Sequence, residues 1–175
     1  MEQIRLAKKE DATFIAMLGR ITFTEAFEHL FTDKVGLKNY LNATFEVNKI
    51  EKSLEKENNV YWIAFVDRLP VGYAKLKLKS KSSFIDSANV SQLQKIYVLR
   101  GFLSMKIGKR LQNLLLQKAA EKGSEKIWLS VYEGNERAID FYKRNDFNKI
   151  GTHQFNIGND NFQFWAMAKS LYKKS

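Results

Sequence analysis

The chain has 175 residues, 45% of them hydrophobic, and carries a net charge of +10 from 29 Lys and Arg against 19 Asp and Glu. That length and apolar content suit one domain spanning residues 1–175 and exclude a disordered chain, while the absence of cysteine excludes disulfides, thiolate nucleophiles and Cys-ligated metal centres. Two isolated histidines speak against a His-ligated metal, and no stretch reaches the roughly 18 apolar residues of a bilayer span, so a soluble, cytoplasmic protein without a membrane attachment is expected. The positive balance favours an anionic partner, whether nucleic acid, acidic lipid or a phosphorylated cofactor. Lys and Arg are scattered, apart from KSLYKKS at the C-terminus, which speaks against nucleic acid.

Ile4 and Leu6 alternate with polar neighbours as a short strand, and Asp11 then caps an amphipathic helix through Phe14, Ile15, Met17 and Leu18. A second helix is expected from Asp33 to about Lys52. Val60 to Val66 and Val71 to Leu78 form an antiparallel hairpin about the turn Asp67-Arg68-Leu69-Pro70, and Leu93 to Leu99 adds a third strand. Ile107, Leu111, Leu114 and Leu115 fall on the stripe of a helix buried against a sheet, which Gly123 ends. Lys126 to Tyr132 is a further strand, Asn135 to Asn145 a short helix, and Phe147 to Phe155 with Asn161 to Ala168 a last hairpin. The expected order is βααβββαβαββ.

Two strand-to-helix junctions carry the chemical signal. In LQKIYVLRGFLSMKIGKRL a buried strand turns at Arg100-Gly101 into a helix that Ser104 is placed to cap. Lys106, Lys109 and Arg110 crowd its first turn, where cations oppose the helix macrodipole. A phosphate on the exposed N–H groups would resolve that conflict; side chains splayed into water are the alternative. In WLSVYEGNERAIDFYKRNDF the strand ends at Tyr132-Glu133 and Asn135 caps the next helix. Tyr142, seven residues on, projects to the same side two turns later. Spacing alone leaves Asn135 as a plain cap and Tyr142 as a packing residue.

At these residues the chain resembles the GNAT superfamily of N-acetyltransferases, which use acetyl-CoA to acylate amines. LQKIYV, KIGKRL, WLSVYEGNERAIDFYKRNDF and GTHQFNIGNDNFQFWAMAKSL carry the resemblance, and with VGYAKL they look most like the bacterial spermidine/spermine branch. The resemblance implies an α/β fold: a mixed, mostly antiparallel twisted sheet flanked by helices and splayed at the central strand. It implies that acetyl-CoA pairs its pantetheine arm with Ile96, Tyr97 and Val98 and rests its pyrophosphate on Leu103, Ser104, Met105, Lys106, Ile107, Gly108 and Lys109. The family pattern Gln/Arg-x-x-Gly-x-Gly/Ala puts its first position at Leu103, its first glycine at Lys106 and its last at Gly108, the one that survives.

Within N-x-x-A-x-x-F-Y, Asn135 matches a cofactor contact and Tyr142 the general acid that protonates the departing thiolate, while Val98 N–H matches the oxyanion donor. An ammonium must shed a proton before attack, and relatives place a carboxylate just before the Ile96-Tyr97-Val98 stretch. Gln92 and Gln94, neutral amides, stand there instead, so Glu133 is the candidate base, with a surface glutamate favouring the helix dipole as its alternative. His153 reads as a structural hydrogen-bonding residue. The acceptor contacts of the family map to Glu25, Glu28 and Asp33, with Asp160 near the last hairpin. A polyamine is the acceptor so implied; Phe164 in place of the branch's aspartate before the final Met keeps open a more apolar amine, a peptide amine or an amine drug. The positive charge itself would repel a polycation. A silent acyl-CoA sensor or a nucleic-acid module is the reading from other classes, and homodimers are common among such relatives.

Overall fold

A computed structural model describes residues 1–172, so the last three residues of the C-terminal basic cluster lie outside it. Among the described residues seven strands form one sheet in the order β1-β2-β3-β4-β5-β7-β6. They are β1 (Glu2–Leu6), β2 (Asn59–Val66), β3 (Leu69–Lys77), β4 (Val90–Val98), β5 (Lys126–Tyr132), β6 (Asn148–Ile157) and β7 (Asp160–Ser170). All neighbours are antiparallel except β4 and β5. That parallel pair is joined only from Val90↔Lys126 to Gln92↔Trp128, so the two strands separate while β4 still has Leu93 to Val98 ahead of it. The expected mixed sheet, splayed at its central strand, is the one observed.

Alternation along the strands sends apolar side chains to both faces, and each face is covered by helices. On one side α4 (Ile107–Glu121) and α5 (Glu136–Lys143) bury Ile107, Leu111, Leu115, Ile139 and Tyr142 against Ile127, Leu129 and Val131. On the other, α1 (Ala12–Phe27), α2 (Lys34–Thr44) and α3 (Val47–Leu54) cover Ile63, Tyr73 and an aromatic cluster around Phe23 and Phe45. No helix among the described residues is long and apolar enough to cross a membrane.

Four local expectations are corrected. The helix expected from Asp33 to Lys52 is two helices, because Phe45 leaves helical geometry at φ −111°, ψ 35° and drives its ring onto Gly19 of α1. Asp11 does not cap α1 with its side chain. It closes the preceding turn by accepting the Lys8 N–H at 2.7 Å and two Arg5 guanidinium bonds at 2.7 and 2.8 Å, which hold its carboxyl below the ordinary range. Ser104 caps nothing, because it lies inside a 3-10 turn over Arg100–Met105, and Lys106 occupies the N-cap position of α4. The first hairpin turns on Asp67 and Arg68 alone, both left-handed, as a two-residue turn requires.

Candidate active site

The gap between β4 and β5 is a backbone feature before it is a side-chain one. Leu99 N–H donates to Val71 O of β3 at 2.9 Å. Strand alternation therefore turns Val98 and Ile96 the other way, their N–H and C=O groups facing the gap beyond the last β5 pairing. A chain of amides laid along that edge would find the hydrogen bonds β5 does not supply. Beyond Val98 the 3-10 turn is held by Phe102 N–H to Leu99 O at 2.9 Å and by the Glu25 carboxylate, which accepts the Arg100 N–H at 3.0 Å. The turn ends at Lys106 in the left-handed conformation, φ 58° and ψ 18°, where α4 begins. A Cβ on Gly108 would meet only a Val98 methyl, at 3.9 Å, so the space over the helix start is open.

The three cations of this turn have different fates. Lys109 donates to the Asn145 side chain, and Arg110 to Met105 O at 2.9 Å and to the Glu2 carboxylate. Only Lys106, exposed and without a partner among the described residues, remains to meet an anion on the α4 N-terminus.

The second junction holds its residues as the spacing indicates. Asn135 caps α5, its Oδ1 accepting the Ala138 N–H at 3.2 Å, which leaves its amide N–H groups free. Tyr142 is buried between Phe141 and Phe147, its ring 5.4 and 5.6 Å from theirs, and burial pushes its phenol far above the ordinary tyrosine value. It stays a proton donor at any physiological pH. Glu133 is exposed at the end of β5, its N–H bonded to Gln163 O at 3.0 Å. His153 donates to or accepts from Ser130 Oγ at 2.8 Å and stacks on Phe164.

On the α1–α3 face of the gap the side chains are aromatic and cationic. Gln92, the amide in place of a carboxylate, accepts from Ser80 Oγ at 3.2 Å. Lys95 and Tyr97 follow on β4, opposite Lys75 and Tyr73 of β3. Burial lowers Lys95, and burial reinforced by repulsion from Lys95 and other lysines lowers Lys75 to about 8; burial alone raises Tyr97 to about 12. Sequence reasoning missed Lys75, Lys95, Tyr40 and Phe45. The signal was present, since alternation through Y-A-K and K-I-Y puts each lysine on the face of its neighbouring tyrosine.

The acidic residues expected near an acceptor are largely engaged in the fold. Asp33 accepts Gly36 N–H at 2.8 Å and Asn159 N–H at 3.0 Å. Asp160 accepts from the Thr32 hydroxyl and from the Thr32 and Asp33 N–H groups at 2.5, 3.0 and 2.9 Å. Glu25 holds Arg100, and Glu28 is exposed. No cluster of three metal-ligating side chains occurs among the described residues.

The profile of the acetyltransferase (GNAT) family matches residues 22–147. An uncharacterized N-acetyltransferase in the pepI 3′ region of Lactobacillus delbrueckii subsp. lactis is 24% identical over 168 residues, 96% of either chain. The crystal structure of the PaiA N-acetyltransferase of Thermoplasma acidophilum in complex with coenzyme A superposes with a TM-score of 0.79 at 18% identity, covering 97% of this chain and 99% of that one. The Salmonella typhimurium putative acetyltransferase YncA, solved with acetyl-CoA, superposes with a TM-score of 0.70 at 16% identity, covering 100% and 96%.

Proposed function

Because the chain belongs to the acetyltransferase (GNAT) family, we propose that it transfers the acetyl group of acetyl-CoA directly to a primary amine. The observation that carries this reading is the gap beyond Gln92 and Trp128, with the free edge of Ile96 and Val98 on one side and Tyr142 on α5 beyond it. Acetyl-CoA supplies an activated acetyl thioester. The N–H groups of β4 take its pantetheine amides, Lys106 with the first N–H groups of α4 takes its pyrophosphate, and the Asn135 amide contacts it across the gap. Val98 N–H is aimed where the thioester oxygen gathers negative charge. As the amine nitrogen bonds to the acetyl carbon and the carbon–sulfur bond breaks, Tyr142 gives its proton to the sulfur. The amine's own proton leaves through Glu133 or water.

Resemblance to the polyamine branch makes spermidine and spermine the first acceptors to offer, with a lysine peptide and an aminoglycoside beside them. The test is release of CoA thiol from acetyl-CoA with each amine, using Tyr142→Phe as the control. Amine-dependent release, reduced by roughly 10² in the variant, is the expected result. Binding of acetyl-CoA without release to any of these amines excludes them as acceptors and leaves an acceptor of other chemistry or an acyl-CoA sensor.

A further inference from the structure

On the α1–α3 side of β3 and β4 the fold half-buries two cations that the transfer reaction does not use. Lys75 and Lys95 are direct cross-strand partners on β3 and β4, both half-buried. Lys95 Nζ lies 5.3 Å from the centre of the Phe45 ring and 5.4 Å from that of Tyr97, and Lys75 Nζ lies 5.2 Å from that of Tyr61. Among the described residues neither ammonium has a carboxylate within ion-pair distance. Like charges placed opposite each other weaken a sheet, and aromatic faces only partly compensate an ammonium taken from water. The acidic side chains of the surrounding elements do not relieve the pair, since Glu25, Asp33 and Asp160 are bonded to Arg100, to the α2 start and to Thr32.

We propose that Lys75, against the Tyr61 ring, and Lys95, against the Phe45 and Tyr97 rings, bind a carboxylate at the far end of the acceptor, so that the substrate is an amine carrying its own anion and not a polycation. The inference rests on the acetyl-transfer reading and sets an anionic amine in place of the polyamine as its acceptor. Lys95 precedes Val98 by three residues, about 10 Å of extended strand. An amine attacking beside Val98 would therefore have its carboxylate several bonds away, as in an ω-amino acid or a lysine acetylated on its side chain, and not on the adjacent carbon.

The probes are 6-aminohexanoate, hexylamine and spermidine, compared by kcat/KM for thiol release in the wild type, Lys95→Met and Lys75→Met. The expected result is at least a tenfold preference for 6-aminohexanoate over both other amines, lost in each Met variant through KM and retained in Lys95→Arg, which keeps the charge. Equal use of 6-aminohexanoate and hexylamine, or preference for spermidine, overturns the subsite while leaving acetyl transfer standing. Should no amine release thiol, the transfer reading fails, and equilibrium binding of hexanoate against hexanamide in the presence of CoA decides the subsite. Hexanoate binding ten times tighter, with the difference abolished in Lys95→Met, supports it; equal binding overturns it.

Discussion

Lys106 combines a conformation and a charge that pull in different directions, and two substitutions separate them. A side chain in the left-handed region costs about 1–2 kcal/mol relative to glycine there, offset by about 0.5–1 kcal/mol for the freedom glycine gives the unfolded chain. Lys106→Gly should therefore stabilise the fold by up to about 1 kcal/mol, raising Tm by a few degrees, while weakening CoA binding through loss of the cation. Lys106→Glu keeps the strain and reverses the charge, so CoA should bind roughly tenfold or more weakly at low salt. A Lys106→Gly protein that melts lower than the wild type would show that the left-handed turn is not strained. For Tyr142, burial predicts that the pH–rate limbs below pH 10 belong to other groups and do not move in Tyr142→Phe, although kcat falls. At this scale the sequence was most legible where a residue meets the backbone at a helix start. Asn135 does cap α5, and Lys106 does sit at the glycine conformation. It was least legible for charges: Lys109 and Arg110 looked like part of one anion site until Asn145 and Glu2, distant in the chain, and the nearby Met105 carbonyl proved to be their partners.

Between elements, the α1–α3 side of the sheet is assembled by close approaches that composition does not reveal. A Cβ on Gly19 would stand 2.3 Å from two carbons of the Phe45 ring, and that ring is also a wall of the Lys95 ammonium. The break between α2 and α3 therefore fixes both helix packing and the ring beside Lys95. Gly19→Ala should cost about 1–3 kcal/mol, measured by denaturant unfolding, and should perturb acceptor KM more than acetyl-CoA binding. The second clasp joins α2 to the β6–β7 turn, where Gly158 takes φ 58° and a Cβ would lie 2.4 Å from Asp33 Oδ2. Strand runs and the α4 stripe were readable because period and burial agree along them. The α2–α3 break was not, because no Gly or Pro marks it and the Phe45 ring turns onto Gly19, Phe23 and Lys95, partners distant in the chain.

Across the whole molecule, a basic protein that half-buries Lys75 and Lys95 with no counterion among the described residues should gain stability when those lysines lose their protons. Lys75 titrates at about 8 in the folded chain against an ordinary lysine value of 10.5, and Lys95 is shifted in the same direction. Below pH 8 both folded and unfolded chains hold the proton, and the full desolvation penalty is present. Between about pH 8 and 10 the unfolded chain binds more protons than the folded one, so unfolding free energy rises with pH. Above pH 10 the trend reverses, because Tyr61 and Tyr97, raised to about 12, keep protons that an unfolded tyrosine releases. The Lys75 share is on the order of 1–2 kcal/mol once solvent screening is discounted. Tm measured from pH 7 to 9.5 should climb in the wild type and climb less in Lys75→Met, which should also start higher at pH 7. The comparison matters because general relief of net positive charge raises both proteins alike. Parallel curves would mean that the Lys75 ammonium reaches water freely, and the same result would remove the physical reason for an anion to seek it.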